Sequence, residues 1–243
     1  MESLMFWLGN GFWMLMIFDC LRNDPDRRTW LWILIFLPWF GAVLYFVMRR
    51  LPYLNIPMPT QIRRWTHRNQ IWDAEAAAKN IGKAHQFVNL GNVLLDAGMS
   101  DRALNAYGQA VSQEPQNINA LWGLASIAIA QKQYITAKSH LEIIMDKDPD
   151  HKFGEASLAY GQVLYELKEW DAAETHLVDD VKRWSHPEAA IMLAHIQIEQ
   201  GNTAVAQENL ETMIFKLRGT PRFYFRQKQH LLGKAQRMLR QLK

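Results

Sequence analysis

Residues 84–117 read AHQFVNLGNVLLDAGMSDRALNAYGQAVSQEPQN, and residues 118–149 read INALWGLASIAIAQKQYITAKSHLEIIMDKDP. Laid over one another, Phe87, Leu90-Gly91, Leu94, Ala103, Tyr107, Ala110 and Pro115 return as Leu121, Leu124-Ala125, Ala128, Ala137, Leu141, Ile144 and Pro149. A third copy runs through Tyr160-Gly161, Leu164, Ala173 and Leu177, and a fourth through Leu193-Ala194, Ala206 and Leu210. In each copy two small residues stand 12 apart (Gly91/Ala103, Ala125/Ala137, Gly161/Ala173, Ala194/Ala206), and the copies follow at steps of 34, 36 and 33 residues. Two antiparallel helices approach closely only where their facing side chains are small. Pro115 and Pro149 end the second helix of their copies, because proline carries no N–H for a helix interior. A lone helix pair cannot bury its apolar face, so the copies must stack.

This pattern resembles the tetratricopeptide repeat, a helix–turn–helix unit of about 34 residues. The resemblance implies an all-α solenoid over residues 84–217 with a groove lined by the first helix of each repeat. Carried over position by position, the groove would present Val88, Asn92 and Leu95, then Trp122, Ser126 and Ile129. The third repeat would add Leu158, Gln162 and Tyr165, and the fourth Ile191, His195 and Ile198. Such a mostly apolar wall suits an amphipathic helix or an extended apolar peptide. Chaperone-binding members of that family clamp a C-terminal carboxylate. Of the clamp positions only Asn92 matches here, since Val88, Gly123, Glu155 and Ala159 occupy the others, so that ligand is not expected. The competing occupants are the protein's own helices or a second copy of the chain. Two departures stand out: Asp180 in the third copy replaces a usual small residue, and Gln197 in the fourth replaces a usual apolar one.

The formal charge of +3 conceals a strong asymmetry. Residues 84–217 carry 9 basic and 18 acidic groups, whereas residues 49–83 carry 7 and 2, and residues 218–243 carry 8 and none. An acidic solenoid thus lies between basic flanks suited to phosphate or acidic surfaces. The tail repeats Leu231, Ala235, Met238, Leu239 and Leu242 at helical spacing, which predicts a capping helix over 218–243. Its outer face would hold Arg226, Lys234, Arg237 and Arg240. Nothing in it resembles a base-reading module, so nucleic acid is not the expected partner.

Residues 30–48 contain no charged side chain and end at Arg49-Arg50. Nineteen residues rise about 28 Å as a helix, enough for a bilayer core. Leu4–Leu21 is apolar but interrupted by Gly9-Asn10-Gly11, and it is expected to span as the first arm of a hairpin over residues 1–50, with lying in the interface as the alternative. Met1-Glu2-Ser3 lacks the basic start of a cleaved signal. Pro38, Gly41 and Tyr45, following a Trp-rich run, resemble the N-terminal membrane segment of cardiolipin synthases in the phospholipase D superfamily. That family's His-x-Lys…Asp catalytic motif is absent, and His151-Lys152 has the wrong spacing, so lipid synthesis is not implied.

Arg49, Arg50, Arg63, Arg64 and Arg68 follow the second span, against Arg22, Arg27 and Arg28 in the preceding loop. The positive-inside rule then places the repeats in the cytoplasm of a bacterial inner or other internal membrane. Pro52, Pro57 and Pro59 predict an extended linker within residues 51–83, followed by a helix from Gln61 to about Lys83. Along it, Ile62, Trp65 and Trp72 could meet the membrane surface while Arg63, Arg64 and Arg68 reach for anionic headgroups. The alternative for this helix is a cap on the first repeat.

Catalytic constellations are not found. The eight histidines are scattered without metal-ligand spacing, and no Gly-x-Ser-x-Gly, P-loop or dinucleotide turn occurs. No enzymatic activity, cofactor or metal is expected. The expected function is a membrane-anchored adaptor that binds protein partners, subunits of a membrane complex under assembly or maintenance. The alternative is a non-catalytic regulatory subunit of a phospholipid-synthesis enzyme. A third reading, an RNA tether, requires a salt-sensitive interaction at the basic tail.

Overall fold

Gly91, Ala125, Gly161 and Ala194 each face a larger side chain 16 residues on: Tyr107, Leu141, Leu177 and Leu210, all buried. This pairing builds the solenoid. The computed structural model describes residues 2–23, 26–50, 63–64 and 66–242, and their regular secondary structure is helical throughout. The chain divides into two units, Met1–Met58 and Pro59–Lys243.

In the second unit, α4 (Arg68–Ile81) is followed by α5 (Ala84–Asp96), α6 (Ser100–Gln113), α7 (Ile118–Ala130) and α8 (Tyr134–Lys147). Then come α9 (Glu155–Glu166), α10 (Trp170–Arg183), α11 (Pro187–Glu199), α12 (Thr203–Arg218) and α13 (Arg222–Gln241). Helices α5 to α12 form four antiparallel pairs. Every first helix closes in the same way. Gly98, Lys132, Lys168 and Gly201 adopt φ of 73°, 59°, 60° and 82°. The N–H groups of Met99, Gln133, Glu169 and Asn202 then donate back to the carbonyls of Leu94, Ala128, Leu164 and Gln197 at 2.7–3.0 Å. These left-handed closures satisfy helix-end carbonyls that would otherwise be orphaned.

Both ends carry an extra half-repeat. Helix α4 buries Ala74 and Ala78 and sets Ile71 against the first-repeat core, so this segment caps the solenoid. Arg63, expected at lipid headgroups, instead donates from Nε to the Asp96 carbonyl at 2.8 Å, because the open end of α5 offers unpaired carbonyls. Arg64 and Arg68 are exposed. Pro52, Pro57, Pro59, Ile62, Trp65 and the side chains of Arg49 and Arg50 lie outside the described residues. At the other end α13 buries Leu231 and Ala235 against α11 and α12, with Met238, Leu239 and Leu242 beside them. Neighbouring pairs are also stitched by charges: Arg102 to Glu75, Lys138 to Glu169 at 2.6 Å, Arg183 to Asp150 at 2.6 Å, and Lys228 to Glu188 at 2.5 Å.

The two unusual residues of copies three and four are internally satisfied. Buried Asp180 accepts from Ser157 Oγ at 2.8 Å and pairs with His186 Nδ1 at 2.8 Å. Buried Gln197 accepts from Asn209 Nδ2 at 2.8 Å. The 36-residue step is absorbed in the turn after α8, where Lys152, Phe153 and Gly154 all take positive φ. Trp184 packs over Gly154 closely enough that a Cβ there would stand 2.5 Å from its ring.

The first unit consists of α1 (Glu2–Asn23), α2 (Arg27–Phe36), α3 (Pro38–Tyr45) and a π-helical turn over Phe46–Arg50. The uninterrupted helix expected over 30–48 is broken at Leu37, whose φ and ψ are −127° and 69°. Pro38 causes the break, since it restricts the residue before it and donates no N–H. The carbonyl it leaves unserved is that of Leu34, four residues earlier, and Trp13 Nε1 donates to that oxygen at 2.8 Å. The turn is so tight that a Cβ on Gly41 would lie 2.7 Å from the Ile33 carbonyl oxygen. Met16, Cys20, Leu34, Ala42 and Tyr45 form the core of this unit, and Tyr45 donates its hydroxyl to Asp19 at 3.1 Å. Around them Leu15, Phe18, Trp32, Phe36, Trp39 and Phe40 are exposed. Among the described residues no helix is long and apolar enough to cross a membrane.

Candidate partner-binding groove

The first helices α9 and α11 of the last two repeats, together with α13, enclose a cavity of about 280 Å³. Five expected groove residues meet there: Leu158, Gln162 and Tyr165 from α9, and Ile191 and His195 from α11. Met192, Glu166 and Glu188 join them, with Leu231, Lys234 and Met238 from α13. Lys234, expected on the outer face of the cap, therefore lines the cavity. Helix α13 begins 35 residues after α11, one further repeat step, and so presents a first-helix face. That continuing step was the signal for these residues, and the lack of a second small pair in the tail hid it.

The remaining expected residues lie outside this cavity, Val88 buried, Asn92 exposed and the others half-buried. Val88 is buried and Leu95 packs beside it in the first core, because α4 covers that face. Asn92 accepts the Tyr107 hydroxyl at 2.7 Å. Trp122 and Ile129 pack partly buried on the second core, and Trp122 meets the His151 ring edge-on at 6.1 Å. Ser126 donates to the Trp122 carbonyl at 2.8 Å. Ile198 packs partly buried against the core that includes Leu231.

Inside the cavity Tyr165 stands edge-on to His195 at 5.6 Å and to Trp170 at 5.5 Å. Burial, then the nearby charges of Glu166 and Glu199, pushes its hydroxyl above the ordinary tyrosine range. His195 Nδ1 and Glu188 Oε2 are buried atoms without a hydrogen-bond partner. Buried polar atoms are normally paired. The cavity lining is mainly apolar, with Gln162 and Lys234 as its polar side chains beside His195, Glu166 and Glu188.

A second polar cluster brings Ser157 Oγ to 3.2 Å from His176 Nε2 and, as above, to Asp180. It does not make a nucleophilic triad, which needs the carboxylate behind the imidazole rather than on the serine. His176 Nε2 also lies 2.9 Å from the Ser157 carbonyl, a bond that requires it to donate rather than accept a proton. Among the described residues no group of three or more His, Cys, Asp or Glu side chains converges on a metal position.

Residues 94–152 match the tetratricopeptide repeat model, and residues 11–50 match the phospholipase D-nuclease N-terminal model. No curated protein matches the chain. Among solved structures, MamA 41-end from Desulfovibrio magneticus RS-1 is similar at 17% identity and TM-score 0.58, covering 69% of this chain and 94% of that one. The pilF protein of Pseudomonas aeruginosa is similar at 14% identity and TM-score 0.56, covering 74% and 83%. YrrB, described as a TPR protein with an unusual peptide-binding site, is similar at 20% identity and TM-score 0.54, covering 69% and 89%. These likenesses establish an all-helical, tetratricopeptide-like solenoid fold.

Proposed function

We propose that the chain is a membrane-anchored adaptor whose groove holds a protein partner on the cytoplasmic side, in the assembly or maintenance of a membrane complex. The observation that carries this reading is the cavity between α9, α11 and α13, where Leu158, Tyr165, Ile191, Leu231 and Met238 form an apolar lining. The exposed apolar and aromatic residues of the first unit support the anchor, since a belt of that kind otherwise marks an interaction surface. Tethering then raises the local concentration of groove and client without tighter contacts. A photo-crosslinking residue at Gln162 in the full chain, compared with one at exposed Ser139 on α8, tests this in native membranes. The reading requires a discrete membrane protein captured from Gln162 alone and lost with Leu158→Glu. Equal capture from both positions sinks it.

The match over residues 11–50 favours one second reading, a non-catalytic subunit of a phospholipid-synthesis enzyme that binds through its anchor. Exchanging residues 1–50 for an unrelated membrane hairpin separates the two. An adaptor keeps its partner, and an anchor-bound subunit loses it.

A further inference from the structure

Away from the groove, a second cavity of about 340 Å³ opens between the end of α10, the start of α11, helix α12 and the first turn of α13. Residues 84–217 hold twice as many acidic as basic groups, yet no Asp or Glu lines this cavity. Its walls are apolar at Val181, Ala190, Met213 and Leu217. Trp184 and His186 form two nearly parallel plates on one side, with ring centroids 6.4 Å apart and planes 22° from parallel. His186 is locked in place through Nδ1 by buried Asp180. Lys216 supplies the cation: its Nζ donates to Ser185 Oγ at 3.1 Å, and among the described residues no carboxylate lies within ion-pair distance of it.

We infer that this cavity binds a small monoanion with a flat apolar body, an aromatic carboxylate in chemical class. The volume is at the lower end of small-molecule sites, about 300–1,000 Å³. One lysine is a compact point charge, suited to a single carboxylate. The aliphatic walls and the exposed edges of the two rings take the apolar body, and with Asp180 held behind His186 no carboxylate faces the anion directly. The same chemistry could come from a free acid or from the terminal aromatic residue of a peptide.

The test is calorimetric titration of the full chain with 2-naphthoate, using 2-naphthylmethanol as the uncharged control and acetyl-Gly-Phe with its amide as the peptide arm. We expect 1:1 binding of naphthoate at least fivefold tighter than the alcohol. Lys216→Met should weaken naphthoate about tenfold and leave the alcohol unchanged. Thr212→Trp, at the exposed mouth, should abolish both. Both variant positions are exposed, and unchanged helicity confirms that the fold persists. If acetyl-Gly-Phe binds and neither its amide nor naphthoate does, the source is a peptide terminus and the chemistry stands. Equal affinity for acid and alcohol, undiminished binding by Thr212→Trp, or no binding by either acid overturns the inference.

Discussion

Trp13 hydrogen-bonds the carbonyl of Leu34, taking the place of the backbone donor that Pro38 lacks. An indole thus closes the gap that a proline opens one helix away. Trp13→Phe leaves that carbonyl without its donor, at a cost of about 1–3 kcal/mol. Restoring the N–H with Pro38→Ala in the same chain should recover part of the loss. Hydrogen exchange of residues 34–41 reads both effects: faster in the single variant, slower again in the double. Equal exchange in the two variants would show that the indole bond carries no such role.

Tyr107 lies between two glycines of successive repeats, and a Cβ added at Gly91 or Gly123 would overlap its ring. Gly123→Ala should therefore destabilise the solenoid by about 1–3 kcal/mol, the usual range for overpacking. Tyr107→Leu in the same chain should relieve most of the added cost. Urea denaturation followed by helicity checks the pair as a double-mutant cycle.

The Tyr107 hydroxyl titrates at about 12 rather than 10, chiefly through burial and then through the charge of Asp96. An acid whose folded pKa is raised contributes stability below the unfolded value and loses it as pH climbs from 10 through 12. Tyr107→Phe forfeits the bond to Asn92, about 1 kcal/mol at neutral pH. The stability gap between wild type and this variant should then shrink between pH 10 and 12. A gap constant across that window would refute the assignment.

Asp180 stands where a small residue is usual, yet reinstating one should harm this chain. Asp180→Ala strands the Ser157 hydroxyl and the His186 imidazole, each bonded to that carboxylate, and should cost about 2–4 kcal/mol. Adding Ser157→Ala should lessen the loss, because one stranded donor disappears. Chemical denaturation of the single and double variants decides it.

The solenoid was legible because its rule is local. Two small residues 12 apart, as in Gly161 and Ala173, can be read from spacing alone. The left-handed closures at Lys132 and Lys168 carry no such mark, since lysine rarely takes positive φ and tertiary packing overrode its preference. The break at Leu37 could have been read from Pro38, but an uncharged run conceals a kink that only a bond from Trp13 makes tolerable. Repeat register alone brings Leu158, Gln162, Tyr165, Ile191 and His195 to one cavity. Val88 and Leu95 were not separable from them, because α4, which covers that face, belongs to no complete repeat. Lys234 was misplaced for the mirror reason, as α13 completes the groove from beyond the last pair.

The ion pairs that stitch the stack each join one repeat to the next, and the cores between helix pairs do the same. Contacts of this kind make the solenoid behave like a zipper. Among the described residues α4 and α13 each pack on one neighbouring pair, so opening is expected to start there before the middle of the stack. Since α13 also walls the groove, a client seated against it would hold the zipper's last tooth shut, and a fraying terminus would let that client go.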